Sequence, residues 1–120
     1  MSADPETALR QLLGAPVDPI LADLNRLRVT AALIGLAGDA RLSFTALRNL
    51  LGMTDGNLGQ HVGVLVEVGY LSVTHASRGR RRQSLYAATA SGRAAFERHS
   101  SALAAIIAAA RTETAPGRRP

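Results

Sequence analysis

Cysteine and lysine are both missing from this 120-residue chain, and each absence removes a body of chemistry. Without cysteine there is no disulfide framework, thiolate zinc site, iron–sulfur ligation, cysteine nucleophile or thiol redox switch. All 14 basic residues are arginine, so a P-loop ATPase, a Schiff-base enzyme and a lysine general base are excluded as well. Long hydrophobic runs are also scarce. The near-continuous apolar stretch Ala102 to Ala110 reaches only about half of a membrane span. The opening Met1-Ser2-Ala3-Asp4-Pro5-Glu6 is acidic and lacks the basic-then-apolar order of a signal peptide. These features predict a cytoplasmic protein with no membrane contact. What is present, 47% hydrophobic and 19% charged residues, suits one folded domain. A chain of this size can bury about two-thirds of its surface without disulfide or metal support.

The net charge of +5 is unevenly placed. Four arginines fall within five residues, Arg78-Gly79-Arg80-Arg81-Arg82, and without them the net charge is +1. Without Arg118 and Arg119 as well it is −1, so the body of the chain is nearly neutral and the excess sits in one short loop and the tail. An arginine run is often only a solvated loop. Its neighbours decide what it does here.

Residues 1–17 read as a short, weakly helical arm in which Leu9, Leu12 and Leu13 can dock, ended by Gly14-Ala15-Pro16. Asp18-Pro19 reads as an N-cap acid followed by proline at the first helical position. Ile20, Leu24, Leu27, Ala31 and Ile34 then recur on one helical face, and Val29, Leu33 and Leu36 form a second stripe roughly opposite. Such a helix must be covered on two sides. Gly35 weakens it and Gly38-Asp39 end it. Leu42-Ser43-Phe44 is a short extended piece, and Thr45 can cap a brief helix carrying Ala46, Leu47, Leu50 and Leu51 and closed by Gly52. After Met53, Thr54 caps a second helix whose Leu58, Val62 and Leu65 share a face, with His61 on its flank and Gly69 at its left-handed end.

Two short helices joined by a tight glycine-containing turn form a helix-turn-helix. The period then changes from 3.6 to 2: Leu71 and Val73 alternate with Ser72 and Thr74, and Leu85 and Ala87 alternate with Ser84 and Tyr86. The arginine run is therefore the tip of a β-hairpin directly after the second helix, the arrangement of a winged helix-turn-helix. Thr89 caps a final helix, at about residues 90–111, whose apolar face is Phe96, His99, Leu103, Ile106, Ile107 and Ala110. This face can fold back on the chain's own first long helix or form a seam between subunits, and the two-sided first helix favours the seam. The polar, proline-ended tail 112–120 is predicted to be disordered. The predicted fold is mainly α with a small β-hairpin (α+β): a winged helix-turn-helix over residues 18–111 with flanking N- and C-terminal dimerisation helices.

The segments from Leu42 to Arg48 and from Leu51 to Leu58, with His61 and Gly69-Tyr70-Leu71, resemble compact bacterial winged-helix regulators, small relatives of the MarR and ArsR families. Arg80-Arg81-Arg82, Tyr86, Thr89 and Gly92-Arg93-Ala94-Ala95-Phe96 continue the pattern, which spans roughly residues 20 to 100. The resemblance implies a dimeric, sequence-specific DNA-binding transcription regulator, commonly a repressor. It supplies no effector.

In the docking such proteins use, the helix over 54–69 enters the major groove. With Leu58, Val62 and Leu65 inward, its outward stripe is Gly56, Asn57, Gln60, Gly63, Val64 and Glu67. Asn57 and Gln60 are amides able to pair bidentately with adenine. Asp55, Gly56, Asn57, Gln60 and His61 are the candidate base-reading positions. Thr45, Arg48, Thr54 and the wing residues Arg78, Arg80, Arg81 and Arg82 are candidates for the DNA backbone or minor groove. Gly56, Gly59 and Gly63 each cost about 1 kcal/mol against alanine in a helix, to be explained by close approach to DNA or a neighbouring helix, or by a softened helix. Where related proteins carry Lys or Arg on the outward face, this helix has Gly63, Val64 and Glu67, and its formal charge is −2. Phosphate neutralisation therefore falls to the wing (residues 76–82) and Arg48.

The partners implied are a palindromic operator in double-stranded DNA and a second copy of the chain, the dimer interface drawing on Ile20, Leu24, Leu33, Leu36, Phe96, His99, Leu103, Ile106, Ile107 and Ala110. Leu33, Leu36, Phe96 and Leu103 could also line a gap for a small-molecule effector, although a packed dimer core explains them more simply. The same wing would serve a nonspecific architectural DNA binder, with Asn57 and Gln60 idle. The acidic helix would suit a winged-helix protein–protein module, which the arginine wing opposes. An enzyme is not predicted: His61, His75 and His99 lack metal-ligand spacing, and no nucleophile elbow or paired carboxylates occur. No cofactor or metal is predicted.

Overall fold

The structure, a computed structural model, describes residues 4–37 and 40–113. Five helices and three strands follow in the order α1 (Pro5–Leu13), α2 (Leu24–Ile34), β1 (Leu42–Ser43), α3 (Phe44–Leu51), α4 (Asp55–Glu67), β2 (Leu71–Arg78), β3 (Arg81–Ala88) and α5 (Ala90–Ala109). The winged-helix architecture read from the sequence is the one observed.

Local chemistry accounts for most of the boundaries. Pro5 opens α1, with Glu6 in its first turn and Arg10 in its last. The arm is thus a regular helix packed on α5, with Leu9 and Leu12 half-buried and Leu13 56% exposed. Asp18 does cap a turn: its Oδ1 accepts from the Ile20 and Leu21 N–H groups at 2.7 and 3.2 Å. The cap of the long helix nevertheless lies five residues after the predicted one, because Asp23 captures the Arg26 N–H at 3.0 Å and starts a new N-terminus. The Arg26 side chain holds the carbonyl of Ile20 at 2.7 Å, so the intervening turn is pinned and places Leu21 in the core.

This restart settles the two stripes of α2. The buried face is Val29, Thr30 and Leu33, while Leu24 is 56% exposed. The Thr30 hydroxyl is satisfied by the carbonyl of Arg26 at 2.9 Å. The helix ends at Ile34, before the predicted stop at Gly38-Asp39, which lies outside the described residues.

Ser43, not Thr45, caps α3: its Oγ accepts from the Ala46 N–H at 3.1 Å, which ends the extended piece before Phe44 and leaves Thr45 exposed in the first turn. Gly52, at φ +66°, closes α3. Thr54 caps α4 through the Asn57 N–H at 3.2 Å. At the other end Gly69 takes φ +86°, and the Tyr70 and Gly69 N–H groups return to the carbonyls of Leu65 and Val66, a Schellman closure that turns the chain into β2.

The sheet has the order β1-β3-β2, all antiparallel, with Leu42 opposite Tyr86 and Leu71 opposite Ala88. Arg78 faces Arg81 across a two-residue turn, Gly79-Arg80, whose glycine at φ +64° matches a glycine-first hairpin. The core joins Leu21, Val29, Leu33, Leu47, Leu58, Val62, Leu65, Leu71, Tyr86 and Ala95. α5 enters this core by small residues. Gly92, Ala95, Ala102 and Ala109 form its buried stripe together with the predicted His99, one position around from the predicted Phe96, Leu103 and Ala110, since small side chains let the helix approach closely. Phe96, Leu103 and Ile106 are half-buried, Ile107 is 53% exposed and Ala110 is exposed. Of the predicted tail, residues 114–120 lie outside the described residues.

Candidate nucleic-acid interface

The turn Gly52-Met53-Thr54 hands α3 to α4, and the Schellman closure at Gly69 turns the chain into the hairpin. Leu58, Val62 and Leu65 anchor α4 in the core. Its opposite face is open: Asp55, Gly56, Asn57, Gly59, Gln60, Gly63 and Glu67 are exposed, and Val64 is half-buried. A Cβ added at Gly56, Gly59 or Gly63 would meet nothing within 4 Å. Packing against a neighbouring helix of the same protomer therefore does not explain these glycines. They leave bare helical backbone on the face that carries Asn57 and Gln60.

His61 does not belong to that face. It is 7% exposed, and its Nδ1 lies 3.9 Å from Asp23 Oδ1 without a hydrogen-bond partner. The i, i+3, i+4 geometry that carries Leu58, Val62 and Leu65 inward carries His61 with them, so this side chain cannot reach a base edge. Its neighbour Asp23 is held below the ordinary carboxylate value, chiefly by the Arg26 N–H, with His61 and Arg26 adding to this against partial burial.

Arg48 reaches from α3 to the first turn of α4, its Nη1 donating to Asp55 Oδ1 at 2.7 Å, with the two side chains 33% and 71% exposed. Arg78, Arg80, Arg81 and Arg82 are all exposed on the wing, and no carboxylate pairs with any of them among the described residues. A polar cleft of about 280 Å³ joins the two parts of the site, bringing Ser43 and Thr45 at the start of α3 beside Arg81, Arg82, Gln83 and Ser84 of β3. β1 is only two residues long, which leaves the edge of β3 open there. The structure thus brings Arg48 to Asp55 at the start of α4 and Thr45 beside Arg81 and Arg82 of the wing, leaves Asn57 and Gln60 exposed on α4, and removes His61.

A second polar cluster went unread in the sequence because its members are 52 and 81 residues apart. Asp18 Oδ2 accepts from the Tyr70 hydroxyl at 2.5 Å, and the Asp18 N–H donates to His99 Nδ1 at 3.0 Å. Burial pushes the Asp18 carboxyl up, but the Tyr70 hydroxyl, the Leu21 and Ile20 N–H groups and His99 outweigh it and hold it below 3.8. The same bond, with burial and the Asp18 charge, raises the Tyr70 hydroxyl above 10.0 against the opposing Arg98. Thr89 ties in the α4 exit, donating to the carbonyl of Gly69 at 2.6 Å, and Gly92 lies against the carbonyl of Tyr70. α5 and the end of α4 are therefore one joined unit.

Leu33 and His99, predicted at a dimer seam, are 1% exposed and taken up within the protomer. Leu33 packs in the core and borders a small polar cleft of about 230 Å³ with Arg41, Ser72 and Arg93, not a gap shared with Leu36, Phe96 and Leu103. A cavity of about 650 Å³ lies elsewhere, between Ala15–Asp18 and Glu97–Ala102. No group of three or more metal-ligating side chains occurs among the described residues, and no helix there is long and apolar enough to cross a membrane.

Residues 26–107 match the winged helix DNA-binding domain family, and the chain belongs to it. The fold is shared with solved transcription regulators. A transcriptional regulator homologue from Pyrococcus horikoshii OT3 superposes with a TM-score of 0.68 at 24% identity, over 85% of this chain and 95% of that one. MarR from E. coli, in its apo form, gives 0.60 at 18% identity over 92% and 79%. The YusO protein from Bacillus subtilis gives 0.63 at 18% over 92% and 74%. No protein of curated function matches the sequence.

Proposed function

We propose that this protein is a homodimeric, sequence-specific transcription regulator, a repressor acting in the cytoplasm on a palindromic operator. It works by binding and not by catalysis. The observation that carries the reading is the pairing of an exposed amide face, Asn57 and Gln60 on α4, with a following hairpin of four arginines that have no carboxylate partner among the described residues. Amides on a groove-sized helix read adenine edges, and unpaired guanidinium groups neutralise phosphates or enter a narrow minor groove. The second copy is supported by apolar side chains left open on α1 and α5, Leu13 and Ile107, beside half-buried Leu103 and Ile106.

Selection of bound duplexes from a random pool at about 150 mM salt, where weak charge-only contacts are screened, tests the reading. An enriched palindrome is the expected outcome, its half-site spacing giving the distance between the two α4 helices. Arg80→Ala with Arg81→Ala should weaken binding to every duplex, while Asn57→Ala should relax discrimination at one position of each half-site. Binding without enrichment would make the protein an architectural DNA binder. Unchanged binding after loss of the wing arginines would refute the role given to the wing.

A further inference from the structure

A short polar contact on the proposed DNA face joins a half-buried arginine to an exposed aspartate. Arg48 Nη1 donates to Asp55 Oδ1 at 2.7 Å, while its Nε and Nη2 both donate to Asn49 Oδ1, at 3.3 and 3.2 Å. A guanidinium carries five N–H bonds, so these three contacts leave two, one on each terminal nitrogen. The group is thus fixed in direction with two donors to spare. A spare donor on each terminal nitrogen can meet a phosphate oxygen.

Charge alone makes this arrangement unexpected. An exposed ion pair adds little to folding. Asp55 also places a carboxylate at the leading end of a helix that carries Glu67 as its other charge and no cation. On a helix meant to approach a polyanion, such a group should only repel.

We propose that Asp55 is a positioning residue: with Asn49 it holds Arg48 as a two-donor clamp for a DNA backbone phosphate beside the α4 N-terminus, so that its net effect on DNA binding is favourable despite its sign. This inference rests on the DNA-binding reading above. A phosphate is the acceptor because Arg48 springs from α3, on the flank of α4, and not from the outward stripe that carries Asn57 and Gln60. One fixed phosphate contact sets the depth and angle at which those amides meet the bases. Asp55 then acts on the reading of sequence without touching it.

A double-mutant cycle on the full chain, with affinity for the selected duplex and for a scrambled one measured across a salt series, tests the proposal. Arg48→Ala should weaken both duplexes by about tenfold and reduce the salt slope by about one. Arg48→Lys should restore the slope but not the affinity, since an ammonium keeps the charge and loses the fork. Asp55→Ala should weaken binding by about threefold or more in the native chain, yet strengthen it in the Arg48→Ala chain, where only its repulsion remains. That reversal of sign is the signature. A carboxylate serving only the helix dipole would shift thermal unfolding alike in both chains and leave Asp55→Ala strengthening DNA binding in both, which would overturn the proposal. A loss on Arg48→Ala confined to one base pair would overturn the phosphate assignment. Failure of the native chain to bind any duplex would overturn the DNA-binding reading itself, and the clamp with it.

Discussion

Gly92 and Asp18 show how single residues join distant parts of the chain. A Cβ at Gly92 would stand 2.1 Å from the carbonyl oxygen of Tyr70, a backbone atom held by the Thr89 N–H. Gly92→Ala must therefore push α5 away from the α4 exit. It should destabilise the domain by about 1–3 kcal/mol, read as a lower thermal midpoint with the helical circular dichroism retained. Asp18 adds a pH dependence of definite sign. Its carboxyl is depressed in the folded state, so the stability it contributes is present above 3.8 and is lost as pH falls through the lower folded value. Tyr70 is raised, so its contribution is present below 10.0 and is lost as pH rises through the higher folded value. Thermal midpoints across pH should show a plateau with both limbs, and Tyr70→Phe should flatten the alkaline limb and make the acid limb shallower. Unchanged limbs would mean that the Asp18–Tyr70 bond does not form in solution.

Among the elements, α4 is the most distinctive, because its three exposed glycines give up helix stability for an unobstructed surface. Nothing lies within 4 Å of a Cβ at Gly59 or Gly63, so alanine there meets no clash. Gly59→Ala with Gly63→Ala should raise stability by up to about 1 kcal/mol per site. If the bare backbone serves close approach to DNA, the same variant should bind its duplex more weakly while unfolding at a higher temperature. Higher stability with unchanged affinity would discard that account. The elements themselves were largely legible in the chain: Thr54 and Thr89 cap where their hydroxyls predict, and Gly69 takes the left-handed turn expected of it. The failures at Asp18 and Thr45 share a cause. In each case two cap-competent residues lie close together, Asp18 with Asp23 and Ser43 with Thr45, and packing around Leu21 or pairing of β1 with β3 selects one of them.

For the whole molecule, the question is what covers α1 and α5. Ile107 is 53% exposed beside half-buried Leu103 and Ile106, on a helix already committed to the core by its small-residue stripe. If a second copy covers this surface, Ile107→Asp should convert a dimer to a monomer by light scattering, leave helical content intact and abolish cooperative binding to a palindrome. A native chain that is already monomeric would refute the seam.

The period of the apolar residues, the caps and the arginine run after a period-2 segment determined by themselves that this is a winged helix with a basic hairpin, because those signals act over a few residues and need no distant partner. Only the tertiary structure decided which stripe of α2 and which side of α5 face inward, that His61 is enclosed, and that Arg48 is aimed by Asp55 and Asn49. The faces of α2 and α5 depend on which surfaces meet across long stretches of chain, where close packing admits the small side chains of α5 and local periodicity offers two faces of similar apolar character, whereas His61 follows the inward face of α4 and the Arg48 contacts follow the turn between α3 and α4.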